Sequence, residues 1–112
     1  MVVPALNRKL VLEEAHNVPD GAGGFEKTWV ALGTLWASLR PGTGREREED
    51  SATLSSVPYK ILVRAAPHGA PSRPKPDQRF REGQRIFRIL AVGDNDDRGR
   101  YLTCVTQEEE AA

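Results

Sequence analysis

The chain has 112 residues, of which 38% are hydrophobic and 29% charged, a size and balance that fit one globular domain with a small core rather than a disordered segment. Its sixteen basic and sixteen acidic residues cancel, so no bulk field draws it to nucleic acid or a membrane surface. Cys104 is the single cysteine, which excludes an intrachain disulfide and a four-cysteine zinc site.

No apolar run approaches the roughly 20 residues of a membrane-spanning helix, and MVVPALNRKL lacks the apolar core of a secretory signal. The first element is read at Arg8 to Ala15, where Leu6, Leu10 and Leu12 recur at period two and argue a strand. Asn17 to Gly24 (NVPDGAGG) is dense in turn formers and makes the tip of a hairpin. The segment that follows carries Trp29 and Trp36 and is ambiguous. Trp29, Leu32, Leu35, Trp36 and Leu39 form a stripe at helical spacing, yet Trp29, Ala31, Gly33, Leu35, Ala37 and Leu39 form one face of a strand. Gly33 costs a helix about 1 kcal/mol against alanine, whereas in a strand it marks a bend or bulge. Periodicity alone leaves the two readings even.

Residues 41–56 (PGTGREREEDSATLSS) have no hydrophobic periodicity and contain six consecutive charges. They read as a polar loop, with room for a short helical turn from Arg45. Tyr59 to Ala66 alternates as a half-buried strand, and 67–77, with its cluster of prolines, as an extended loop. Arg79 to Glu82 and Arg85 to Val92 form a hairpin about Gly83 and Gln84, Gly93 to Gly99 forms a polar turn, and Arg100 to Thr106 closes the fold. Residues 107–112 read as a frayed tail. The expected architecture is an all-β domain spanning 1–112, a small barrel or sandwich of five to six antiparallel strands.

Signs of catalysis are absent from the sequence. No GxxxxGK[ST], GxGxxG or GxSxG occurs, so phosphate-loop and seryl-nucleophile chemistry have no carrier. An EF-hand frame from Asp94 puts Gly99 at position six, but Arg98 stands at position five and Val105 at twelve, where a glutamate belongs. His16 and His68 sit beside turns without a partner at metal-ligand spacing, and Cys104 falls in an alternating strand, as a small core residue does. The expectation is a non-enzyme with no cofactor and no metal. A basic stretch remains at Arg73 to Arg88, with Arg79, Arg81, Arg85 and Arg88 as a candidate basic edge. Its two readings are a solvated or subunit-facing edge and a nucleic-acid-binding small barrel.

Read together, several residues carry a resemblance. Asp20 and the glycines to Gly24, Glu26, Thr28, Trp29, Trp36, Ala37, Leu39, Pro41, Gly44 and Glu46 are followed by Arg64, Arg79, Gly83, Arg85, Ile86, Phe87, Ile89 and Val92, then by Arg98 to Leu102, Cys104 and Glu108. In that order and spacing the chain resembles the head–tail joining proteins of tailed phages, the head-completion or stopper proteins of the portal neck, including those of phage-derived particles such as gene transfer agents. The Pro-rich 67–77 is longer than usual for the family, and Gly42-Thr43 stands where an apolar residue is more common.

The resemblance implies a small barrel that assembles into a homo-oligomeric ring between the portal or its adaptor and the tail terminator or tail tube. Such a ring closes the exit channel on packaged double-stranded DNA and offers the tail its docking surface. The protein is then made in the bacterial cytoplasm and resides in the particle neck, with no membrane contact. It further implies that the Trp segment is a strand, with Trp29, Gly33, Trp36, Pro41, Phe87 and Ile89 as structural anchors. Gly44, Arg45, Glu46, Arg47, Glu48, Glu49 and Asp50 become a loop facing the channel or a ring neighbour. Because seven is odd, indoles at 29 and 36 share a face only if the strand carries a bulge or break near Gly33.

Overall fold

The computed structural model describes residues 5–42, 56–95 and 99–109. Six antiparallel strands, β1 (Arg8–Pro19), β2 (Phe25–Pro41), β3 (Ser56–Arg64), β4 (Arg79–Glu82), β5 (Arg85–Asp94) and β6 (Tyr101–Glu109), close into a barrel in the order β1-β2-β3-β6-β5-β4. Closure is made by β4 against β1, through Val11–Arg81, Leu12–Phe80 and Glu13–Arg79, and removes the free edges that an open sheet would present. The Trp segment is therefore strand throughout. The loop expected from Gly44 to Asp50 lies outside the described residues.

Alternation decides the inside of the barrel. Leu10, Leu12, Ala37, Ile61, Val63, Phe80, Phe87, Ile89, Leu102 and Cys104 are fully buried in one cluster, with Tyr59 set edge-on to Phe87 at 5.4 Å between ring centroids. Cys104 is a core residue, and burial pushes its thiol up to about 12, which leaves it protonated and inert.

The second strand carries the bulge that the tryptophan spacing requires. Leu12 pairs with Gly33 and Glu13 with Ala31, so Leu32 is the extra residue on β2. From Leu35 onward the odd positions point inward, since Leu35 faces Leu10 and Ala37 is buried. Trp36 therefore points outward opposite Lys9 and is 56% exposed. Trp29, opposite Ala15 and before the bulge, also lies outside, under the Arg79 guanidinium at 4.1 Å. Both indoles share the outer face, whereas Phe87 and Ile89 are in the core.

Several boundaries move from the sequence reading, and pairing explains each move. Strand β1 continues to Pro19, because His16 to Pro19 pair with Phe25 to Thr28. The tip shrinks to residues 20–24, where Gly21 and Gly23 take positive φ and the Asp20 carboxylate accepts hydrogen bonds from the amides of Ala22 and Gly24. Pro41 is the last residue of β2, opposite Tyr59, and Ser56 begins β3. Gln107 to Glu109 are not frayed, since they pair with β3 on one side and β5 on the other. Gly42 donates to the Pro58 carbonyl at 2.8 Å, and a Cβ there would meet the Pro58 ring at 3.0 Å. That close approach accounts for glycine where the family resemblance led one to expect an apolar side chain.

Beyond Glu14, β1 is bonded only to β2, and before Ala37, β2 is bonded only to β1. The distal half of this hairpin is thus a two-stranded arm that leaves the barrel, in a molecule with extents of 56 × 38 × 23 Å.

The placement of the aromatics predicts opposite outcomes for two substitutions. Phe87→Ala should lower the unfolding free energy by about 3–5 kcal/mol, whereas Trp36→Ala should change it by no more than about 0.5 kcal/mol. Urea unfolding followed by circular dichroism reads both, and a Trp36→Ala loss comparable to that of Phe87→Ala would contradict the outward placement.

Candidate functional site: the charged mouth and the outer faces of the barrel

The basic residues singled out in the sequence sit in two settings, and three of the four are matched by carboxylates. On β4, Arg79 and Arg81 point to the same outer face, and Glu13 of β1 lies between them. Arg79 Nε reaches Glu13 Oε1 at 2.7 Å and Arg81 Nε reaches Oε2 at 2.8 Å. The Glu13 side chain is only 7% exposed. Burial alone would raise its pKa, but the hydrogen bonds from Arg81 and Arg79 outweigh that and hold it below the ordinary carboxylate range.

Arg85 occupies the second setting, at one mouth of the barrel. Its alternation partners Phe87 and Ile89 are in the core, so its side chain turns inward and is met by Glu108 at 2.7 Å. The guanidinium also donates to the Tyr59 hydroxyl at 3.3 Å and lies 5.0 Å from the Phe87 ring. Glu82 stands 3.7 Å from Arg85 and accepts a 2.7 Å hydrogen bond from Arg8 Nε. Arg8, Glu82, Arg85 and Glu108 alternate in sign across the mouth and cap the apolar core. The hydrogen bond to Glu108 raises the Arg85 pKa, and the one from Arg8 lowers that of Glu82.

Arg88 is the exception. It pairs in register with Arg79 and Gln107 and has no ion-pair partner among the described residues. It borders a recess of about 310 Å³ beneath the arm, floored by Trp29 and lined by Lys27, Arg79, Asp77 and Glu109. The charges there are mixed. The Pro-rich loop is fastened beside this recess: Arg73 donates to the Ala66 carbonyl at 2.7 Å, Gln78 donates to Glu14 at 3.1 Å, and Pro74 and Gln78 are buried.

Among the described residues no nucleophile, base and oxyanion donor converge. Among the described residues no group of three or more His, Cys, Asp or Glu side chains could hold a metal ion. His16 is exposed and meets Glu14 at 3.0 Å. The turn after β5 is fastened by Thr103 donating to Asn95 at 2.8 Å, and residues 96–98 lie outside the described residues.

Sequence reasoning did not find the outer face of β1, β2 and β3. Outward positions there carry Lys9, Trp36, Arg40, Lys60 and Arg64, with Trp36 opposite Lys9 and Arg40 opposite Lys60. The signal was present as alternate positions in three separate strands, but only the pairing register makes it one surface.

The described residues thus form a closed six-stranded barrel with a projecting hairpin and a salt-bridged mouth. A family model of phage head completion proteins matches residues 1–109, and the chain belongs to that family. A chain in the structure described as the virion of a native gene transfer agent particle is 57% identical, with a TM-score of 0.80 over 98% of this chain and 100% of that one. Protein SF1141 from Shigella flexneri 2a has the same fold at 20% identity, with a TM-score of 0.65 over 100% of this chain and 98% of its own. No curated protein matches the sequence.

The depressed pKa values of Glu13 and Glu82 set the sign of a pH effect. A carboxylate with a lower pKa folded than unfolded stabilises the fold above its unfolded value, and that stability is lost as pH falls through the folded pKa. Unfolding midpoints should therefore fall as pH drops below the ordinary glutamate value of 4.5. Glu13→Gln should flatten that loss and cost about 3 kcal/mol at neutral pH, because Arg79 is left partly buried without its partner. Thermal unfolding from pH 7 to pH 3 checks both, and parallel pH profiles for the two proteins would contradict the assignment.

Proposed function

We propose that this protein is a structural component of the neck of a tailed phage or gene transfer agent particle, where copies form a ring between the portal or its adaptor and the tail. The observation that carries this reading is the 57% identity, over nearly the full length of both chains, to a chain of a gene transfer agent virion, together with membership of the head completion family. In this reading the ring closes the DNA exit channel after packaging and presents the surface to which the tail terminator or tail tube docks.

The physical character of the barrel supports the role. A ring needs a rigid wedge with two different contacting surfaces, because a head-to-tail interface closes only when the same rotation repeats. The closed ladder and the salt-bridged mouth supply rigidity, and the arm supplies a feature that leaves the body of the subunit. The residues 43–55 would then add a polar segment directed at the channel or a neighbour. A nucleic-acid-binding role through Arg73 to Arg88 finds less support, since Arg79, Arg81 and Arg85 are engaged with Glu13, Glu82 and Glu108.

Deleting the gene should yield DNA-filled or DNA-leaking heads that lack tails, and supplying the wild-type gene in trans should restore tailed particles. Electron microscopy of the particles reads the outcome, and normal tailed particles from the deletion strain would sink the proposal.

A further inference from the structure

The outer face of β1–β2–β3 concentrates charge that nothing in the described subunit neutralises. Arg40 and Lys60 are direct cross-strand neighbours, an arrangement that destabilises a sheet by itself. Neither they nor Lys9 has an ion-pair partner among the described residues. No carboxylate occupies an outward position of β2 or β3 from Trp36 to Arg64 among the described residues. Trp36 stands amid these cations, 56% exposed, and forms a shallow recess with Leu6 and Arg64. An exposed tryptophan with an arginine beside it is the composition of an interface centre rather than of a solvated surface.

The arm carries the complement. From Val18 to Glu26 its charges are Asp20 and Glu26 alone. Phe25 is 72% exposed and Val18 44% exposed, both large apolar side chains beside the tip. The Asp20 carboxylate is held by the amides of Ala22 and Gly24, so the tip is a preformed acidic turn with an apolar residue beside it. The next cation, Lys27, lies back over Trp29 at 5.7 Å.

We infer that the arm tip of one copy, with Asp20, Phe25 and Glu26, docks on the Lys9, Trp36, Arg40, Lys60 and Arg64 face of the next. The occupant must be a second copy. Phe25 and Trp36 are eleven residues apart on one extended strand, up to about 36 Å, so the arm cannot fold back onto its own face. The contact joins two unlike surfaces, charge against countercharge and phenyl against indole, and so repeats head to tail. This inference rests on the ring reading above and names the two surfaces that would build the ring.

The test uses assembled particles carrying the Phe25→Cys, Trp36→Cys double variant, exposed to mild oxidant and run on a non-reducing denaturing gel. A ladder of disulfide-linked multimers is expected, while each single variant gives none. Cys104 is buried and does not contribute. Introducing Glu26→Lys, or Arg40→Glu with Lys60→Glu, into the double-cysteine background should cut the ladder by about tenfold or more. Combining the two reversals should restore it.

A side-chain-resolved map of the wild-type neck reads the same contact without substitution. A ring in which Phe25 lies far from the neighbour's Trp36, or a double variant that assembles without a ladder, overturns this inference and leaves the ring reading intact. A face filled by DNA or by a different protein in that map also overturns it. A neck with no ring of this chain sinks the ring reading itself, and the inference with it.

Discussion

One extra residue governs the shape of this protein. Strand β2 must offer Leu35, Ala37 and Leu39 to the core in one half and send Trp29 outward beneath Arg79 in the other. A uniform strand cannot do both, because side chains alternate strictly and a shift of one residue inverts the whole face. The bulge at Leu32 resolves the conflict. It also raises local twist at the point where the hairpin stops being barrel wall and becomes a free arm. Pairing on the far side of β1 ends there too, at Glu13 and Arg79.

Charge placement follows from that geometry. Arg79 and Arg81 of β4 flank the buried Phe80 and so emerge on the outer wall beside Glu13, while Arg85 shares the inward face of β5 and caps the mouth beside Glu82 and Glu108. Their role is internal: they neutralise glutamates that closure of the barrel has partly buried, and breaking any such pair strands a poorly solvated charge. A second group, on β1, β2 and β3, lacks carboxylate neighbours among the described residues. The overall charge of zero conceals this division, because it says nothing of which charges are paired.

For a head completion protein these two groups suit different tasks. In the ring proposed above, a subunit would have to hold its shape and also bind a neighbour that presents another surface. Under that proposal the internally paired charges would serve the first requirement and the unpaired ones the second. The arm extends from the subunit by pairing between β1 and β2, and Trp29 beneath Arg79 steadies its base.

Much of the fold was legible in the chain itself. Alternation in residues 8–15, 59–66, 79–92 and 100–106 located the strands, because period-two burial is a local property of each segment. The odd spacing of Trp29 and Trp36 demanded a bulge once the segment was read as strand, and the family resemblance pointed to a structural protein of the virion. The strand ends were less legible. Pro19, Pro41 and Gln107 to Glu109 look like loop or tail by composition and are strand because a partner lies beside them. The outward position of Trp36 and the pairing of Arg79, Arg81 and Arg85 depended on residues distant in sequence, as did the gathering of Lys9, Arg40, Lys60 and Arg64 onto one face. Alternation in the sequence by itself determined most of the strand segments, and the family resemblance added that the Trp segment is a strand that must skip a residue. Only the tertiary structure decided which charges meet, because register between strands is set by closure of the whole barrel, and no single strand contains that information.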